Sequence, residues 1–138
     1  MIYNIFKSVT LDSLPLWLQN DVYKILIHKD SEPDYSLTLC RKLLERLCGE
    51  ICIYEGLLNK DEILHYKLNA QLKIIERKST IPKVIMAHLW TIKEYGNCGV
   101  HDHREFNKWI NSQYTEPCIY ALAMFLEWCA NAYLVERS

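Results

Sequence analysis

Apolar residues recur at intervals of three and four along nearly the whole of this chain, the spacing that lets an α-helix bury one face. Leu14, Leu18, Val22, Ile25 and Leu26 form a first stripe. Leu37, Cys40, Leu44, Leu47, Cys48, Ile51 and Cys52 form a second, and Ile63, Leu64, Leu68, Leu72 and Ile75 a third. A fourth runs through Val84, Ile85, His88, Leu89 and Ile92. With only 4 Gly and 4 Pro in 138 residues, the chain also lacks the turn-formers that an all-β fold needs. The periodicity predicts an all-α chain, a helical bundle of four to five helices joined by short loops, in a single domain over residues 1–138.

Local signals place the helix ends. The first helix is expected to begin near Asp12–Ser13, either of which can cap, with Pro15 in its first turn, and to end around Lys29–Asp30. The second is expected from about Asp34 to Gly56, where glycine favours a stop. The third covers about Lys60 to Lys78, and the fourth follows Pro82 and stops at Gly96. Residues 104–111 suit a short helix, and Thr115-Glu116-Pro117 reads as the start of a last helix reaching about Glu136. Ile51 to Tyr54 has strand-forming residues but continues a helical stripe.

The apolar segment from Pro117 to Val135 is close to the length of a membrane span, but it contains Glu127 and Asn131, which are costly in lipid. A central helix buried on nearly all sides has the same appearance, and no membrane partner is expected. Six cysteines lie in a chain whose first residues lack the layout of a signal peptide. They read as reduced, buried small residues of a cytoplasmic protein. Sixteen Lys+Arg against 17 Asp+Glu leave a net charge of −1, without the broad positive field of a duplex-DNA binder. Residues 60–108 nevertheless carry nine basic and six acidic side chains, which leaves room for a local site.

The stretch from Ile92 to His103 stands out, because two of the four glycines and two of the five histidines fall within it. Three readings compete. Gly96 can cap a helix, with His101 packed or capping in the loop beyond. Cys98, His101 and His103 are suitable zinc ligands, but a structural zinc site needs a fourth that the spacing does not supply, so no metal is assigned. The third reading is acid–base chemistry on a phosphodiester, centred on His101, which can titrate near neutral pH.

Three elements occur in order that resemble an uncharacterised bacterial family within, or close to, the HEPN helical-bundle superfamily. They are Leu14-Pro15 at the head of the first helix, R-x-x-L-E at Arg41 to Glu45, and I-R-x-x-G-N-x-x-x-H at Ile92 to His101. The resemblance covers roughly residues 13–136. It implies a HEPN-like fold, a homodimer, and an RNA-directed activity, often that of a metal-independent endoribonuclease of defence or toxin systems with a protein partner such as an antitoxin. It implies no cofactor. Transferred to this sequence, Asn97 and His101 match the common motif, while Gly96 stands where its arginine belongs. Lys93, or Arg41 from the second helix, is then the candidate cation for the phosphorane, with His101 as acid or base and Asn97 orienting. HEPN-like domains lacking the full set serve as assembly, interaction or nucleotide-binding modules, which is the alternative function.

Glu45, which can pair with Arg41 or Lys93, joins His103, Arg77 and Lys78 as candidate binding residues. Arg77-Lys78 is the only basic cluster of note, and its default role is a solvated helix end. The four tryptophans read as core and interface anchors rather than base-stacking platforms. No phosphate-binding glycine loop and no Ser or Cys nucleophile in a familiar context occurs.

Overall fold

A computed structural model describes residues 8–100 and 112–134. Among these the chain is helical and contains no strand. Seven α-helices follow in order: α1 (Ser8–Ser13), α2 (Leu16–His28), α3 (Pro33–Tyr54), α4 (Lys60–Ile63), α5 (Leu68–Lys78), α6 (Lys83–Val100) and α7 (Ser112–Cys129). A π-helical turn, Ala130–Leu134, extends α7.

The bundle is organised around α3, which packs against α2, α4, α5, α6 and α7. Its stripe from Leu37 to Cys52 is buried as its spacing predicts. The α2 stripe of Leu18, Val22, Ile25 and Leu26 and the α5 residues Leu72 and Ile75 close on it. The apolar α7 is a core helix, with Cys118, Ile119, Leu122, Phe125 and Leu126 all fully buried. No helix among the described residues is long and apolar enough to cross a membrane. Two side chains tie the C-terminal end of α2 to its neighbours. Ser36 Oγ donates to the Ile25 carbonyl at 2.7 Å, and Thr115 Oγ1 to the Lys29 carbonyl at 3.4 Å.

Helix ends differ from expectation in instructive ways. Gly56 does end α3: it is the one described residue with positive φ (71°), and Gly56 N–H donates to the Ile53 carbonyl while Leu57 N–H donates to that of Cys52. This is the paired-bond C-terminal motif that favours glycine. The expected first helix is α2, which starts at Leu16 with Pro15 rather than Asp12 or Ser13 before it, and the short α1 that precedes it lies outside that expectation. The expected third helix is split. Asn59 and Glu62 form a reciprocal capping box on α4, after which the chain leaves the helical path at Leu64–Lys67. Leu64 fits the stripe by number but is 81% exposed, and the Gln71 side chain donates to the Tyr66 carbonyl at 2.8 Å to hold the break. Pro117 lies inside α7, not at its start, and Thr115 is spent on the tie to Lys29 rather than on a cap.

The thiols of Cys40, Cys48, Cys52, Cys118 and Cys129 are free and buried. Hydrogen bonding with Cys118, and then burial, push the Cys40 thiol up; burial raises Cys48 and takes Cys52 up to about 11. A raised thiol pKa means that the folded state holds its proton more tightly than the unfolded chain. The associated stability is complete below about pH 8.5 and declines as the pH rises through about 11. The urea midpoint is therefore expected to fall across that alkaline window. Phe125→Ala, which empties the largest fully buried side chain, is expected to cost about 3–5 kcal/mol by the same measurement.

Candidate functional site

The site begins with a close helix crossing. On α6, Leu89 and Ile92 are completely buried, and Gly96 continues that buried line at the next turn. A Cβ added at Gly96 would lie 2.7 Å from Arg41 Cβ and 3.3 Å from Arg41 Cα. Real Cβ atoms do not approach so closely, so only glycine lets α6 lie against α3 at this point. The expectation that Gly96 ends the helix is therefore corrected. It lies within α6, its φ is negative, and its role is steric.

The crossing brings a charged residue and an amide together from positions 56 apart in sequence. Arg41 Nη1 donates to Asn97 Oδ1, and Arg41 Nε donates to Glu45 Oε1 at 3.0 Å, one turn along α3. A guanidinium carries five N–H donors in a rigid fork, so three remain beyond these two bonds. The Arg41 side chain is 21% exposed: buried enough to be held in one pose, open enough to meet a ligand from solvent. Asn97, with Oδ1 accepting from Arg41, keeps its two Nδ2 hydrogens as donors. Together the pair is a cation and an amide in fixed relation, suited to an anionic oxygen. The Arg41–Glu45 ion pair by itself contributes little, about 0.3–0.5 kcal/mol for an exposed i,i+4 pair. The bond to Asn97 is the one that crosses between helices.

Lys93, one turn before Asn97, is engaged differently. Its Nζ pairs with Glu94 Oε1 at 3.0 Å and lies 5.7 Å from the Trp90 ring centre. Of the two candidate cations, Arg41 is the one in contact with Asn97. Trp90 in turn donates its indole N–H to Glu76 Oε2 at 2.6 Å, clamping α5 to α6. Arg77 and Lys78 stand exposed in the last turn of α5, where positive charge favours the carbonyl end of a helix, and Arg77 Nε donates to the Lys73 carbonyl at 3.4 Å. No described contact joins them to Arg41.

His101 and His103 lie outside the described residues, as does the expected short helix over 104–111. No group of three or more metal-ligating side chains occurs among the described residues. Sequence reasoning brought Arg41, Glu45 and Asn97 together conditionally, on α3 packing against α6. It missed the steric role of Gly96 and the Trp90–Glu76 clamp. A signal for the first was present: Gly96 falls four residues after Ile92, in register with the buried line, where a small residue marks a close crossing.

A family model described as a domain of unknown function, DUF4145, matches residues 21–122. That span holds both sides of the α3–α6 crossing and the Ile92–His101 element. No curated protein and no solved structure matches the chain.

Gly96→Ala tests the crossing. The added methyl meets the Arg41 Cβ, so the variant is expected to lose about 1–3 kcal/mol in urea unfolding, the range for an overpacked contact. An unchanged midpoint would show that α6 and α3 are not held at this distance.

Proposed function

The chain belongs to the DUF4145 family, and we propose that its Arg41–Asn97 pair serves an RNA-directed effector of the HEPN-like kind, a metal-independent endoribonuclease acting in a bacterial defence or toxin system. The observation that supports this reading most directly is the bond from Arg41 to Asn97 across Gly96. Glycine occupies the place of the common motif's arginine, and at that place the fold has no room for a side chain. The guanidinium of Arg41 comes from the neighbouring helix to the adjacent residue, Asn97. The charge missing from α6 is thus supplied by α3.

In the proposed reaction an RNA 2′-hydroxyl loses its proton to a general base and attacks the adjacent phosphorus. The phosphorus–5′-oxygen bond then breaks, and the departing oxygen takes a proton from a general acid. The products are a 2′,3′-cyclic phosphate and a 5′-hydroxyl, with no oxidant, metal or cofactor in the balance. His101, four residues beyond Asn97, serves as the acid or base, a role worth about 10²–10⁴ in rate. Arg41 stabilises the doubly charged phosphorane through its remaining N–H groups, and Asn97 orients the phosphate or the histidine through Nδ2. Two chains in a homodimer would bring two such sets to one cleft, supplying the base from one histidine and the acid from the other.

A second reading is favoured by Glu45. Its carboxylate already pairs with Arg41, and a guanidinium held by an acid and an amide can serve simply as a clasp between helices. In that case the domain is a non-catalytic interaction module for a partner protein or nucleotide.

Structured RNA incubated with the purified protein in EDTA distinguishes the two. Cleavage is expected, with cyclic-phosphate ends, reduced about 10²–10⁴-fold by His101→Ala and about 10²–10³-fold by Arg41→Ala, each with its helical circular dichroism retained. Arg41→Lys is expected to recover part of the loss, since it restores charge without the fork. Absence of cleavage from a fully folded protein would overturn the ribonuclease reading and leave the interaction module.

A further inference from the structure

A second place in the molecule carries ligand-binding chemistry of a different kind. Glu50 lies nine residues after Arg41 on α3, about two and a half helical turns, and so on the opposite side of that helix. There a cavity of about 70 Å³ opens between α2, α3 and the π-helical turn that ends α7. Trp17, Tyr54 and Tyr133 supply its aromatic walls, Leu47 and Cys129 are among its apolar lining, and Glu50 adds a carboxylate.

The aromatic arrangement is specific. Tyr54 and Tyr133 stand at 88° to one another with ring centres 5.4 Å apart, which makes two walls of a corner. Trp128 abuts Tyr133 at 5.2 Å and 82°, fixing that ring in place. Trp17 already carries a cation against its ring, the Arg46 guanidinium carbon lying 3.5 Å from the ring centre, and Arg46 does not line the cavity. The charges nearby favour a cation. Glu50 sits 3.9 Å from Arg46 Nε and offsets it, while Glu55, which does not line the cavity, sets a second carboxylate beside Tyr133. Burial and then the Glu55 charge push the Tyr133 phenol well above its ordinary value, so the ring remains neutral with its hydrogen in place.

Aromatic faces set at right angles around a small apolar space, with carboxylates beside them, attract compact organic cations by the ring quadrupole and by net charge. The space admits a headgroup of a few heavy atoms. We propose that this cavity binds a free small-molecule alkylammonium of the trimethylammonium class, at a site separate from Arg41.

Choline and its uncharged carbon isostere, 3,3-dimethylbutanol, titrated separately into the full chain and followed by the Trp17 indole N–H and the Tyr54 and Tyr133 amides in ¹⁵N–¹H spectra, provide the test. Choline is expected to shift these signals at millimolar concentration and to bind about tenfold more tightly than the isostere, the preference that two ring faces supply. Tyr54 is 48% exposed, so Tyr54→Leu can remove one wall without emptying the core. It is expected to abolish the preference, while Tyr54→Phe keeps it. Equal binding of the two compounds would mean an apolar pocket with no cation selectivity and would overturn the proposal. So would a Tyr54→Leu protein that binds choline like the parent, or spectra that choline leaves unmoved.

Discussion

The burial of α3 is the constraint on which the rest of the structure depends. Nine of its 22 residues are buried, from Ser36 to Cys52, and they occupy too wide an arc for one neighbour to cover. Helices α2, α5, α6 and α7 are arranged as the cover, and each contributes its own apolar stripe to the same core. The small cysteines at 40, 48 and 52 let the covering helices come close without strain. Where the approach is closest, at Gly96, the polar side chains at the edge of the contact are forced into one arrangement. The candidate site is thus a by-product of core packing: Arg41 is held in place because α6 has to lie against the residue that bears it.

Most of the core was legible in the sequence because it is carried by spacing alone. The α2 and α3 stripes, the stop at Gly56 and the buried character of α7 all follow from residue type and interval. What spacing could not supply was direction in three dimensions. Leu64 has the right number and the wrong environment, since the capping box at Asn59 sets α4 on a path that ends before Leu64 can turn inward. Thr115 and Pro117 have the composition of a helix start, but Thr115 is claimed by the Lys29 carbonyl and the helix begins earlier. Gly96 is the sharpest case. Its local chemistry suits a cap, and only the position of Arg41 on another helix reveals that the missing side chain is a clearance. The Arg41–Asn97 bond was foreseeable only on the condition that the second and fourth stripes face each other.

The two faces of α3 carry contrasting chemistry. One presents the Arg41 guanidinium to the Asn97 amide of α6. The other presents Tyr54 and the Glu50 carboxylate to the cavity beside α2. Both sets are fixed by the same helix, which packs against five others, so each stands on a rigid support. Both also recruit a side chain from a distant element, Asn97 for the first and Tyr133 for the second, so neither is complete within α3 itself.

The clearance at Gly96 also governs how this surface can change over evolutionary time. An arginine cannot enter position 96 while position 41 keeps its Cβ, because the two backbones leave no gap. Removing the side chain at 41 first abandons the charge. Both substitutions together would still set the new Cβ 3.3–3.4 Å from the backbone of residue 41, so the helices would also have to part. The crossing thus limits which side chains positions 41 and 96 can carry at the same time, whatever the surface above them is used for.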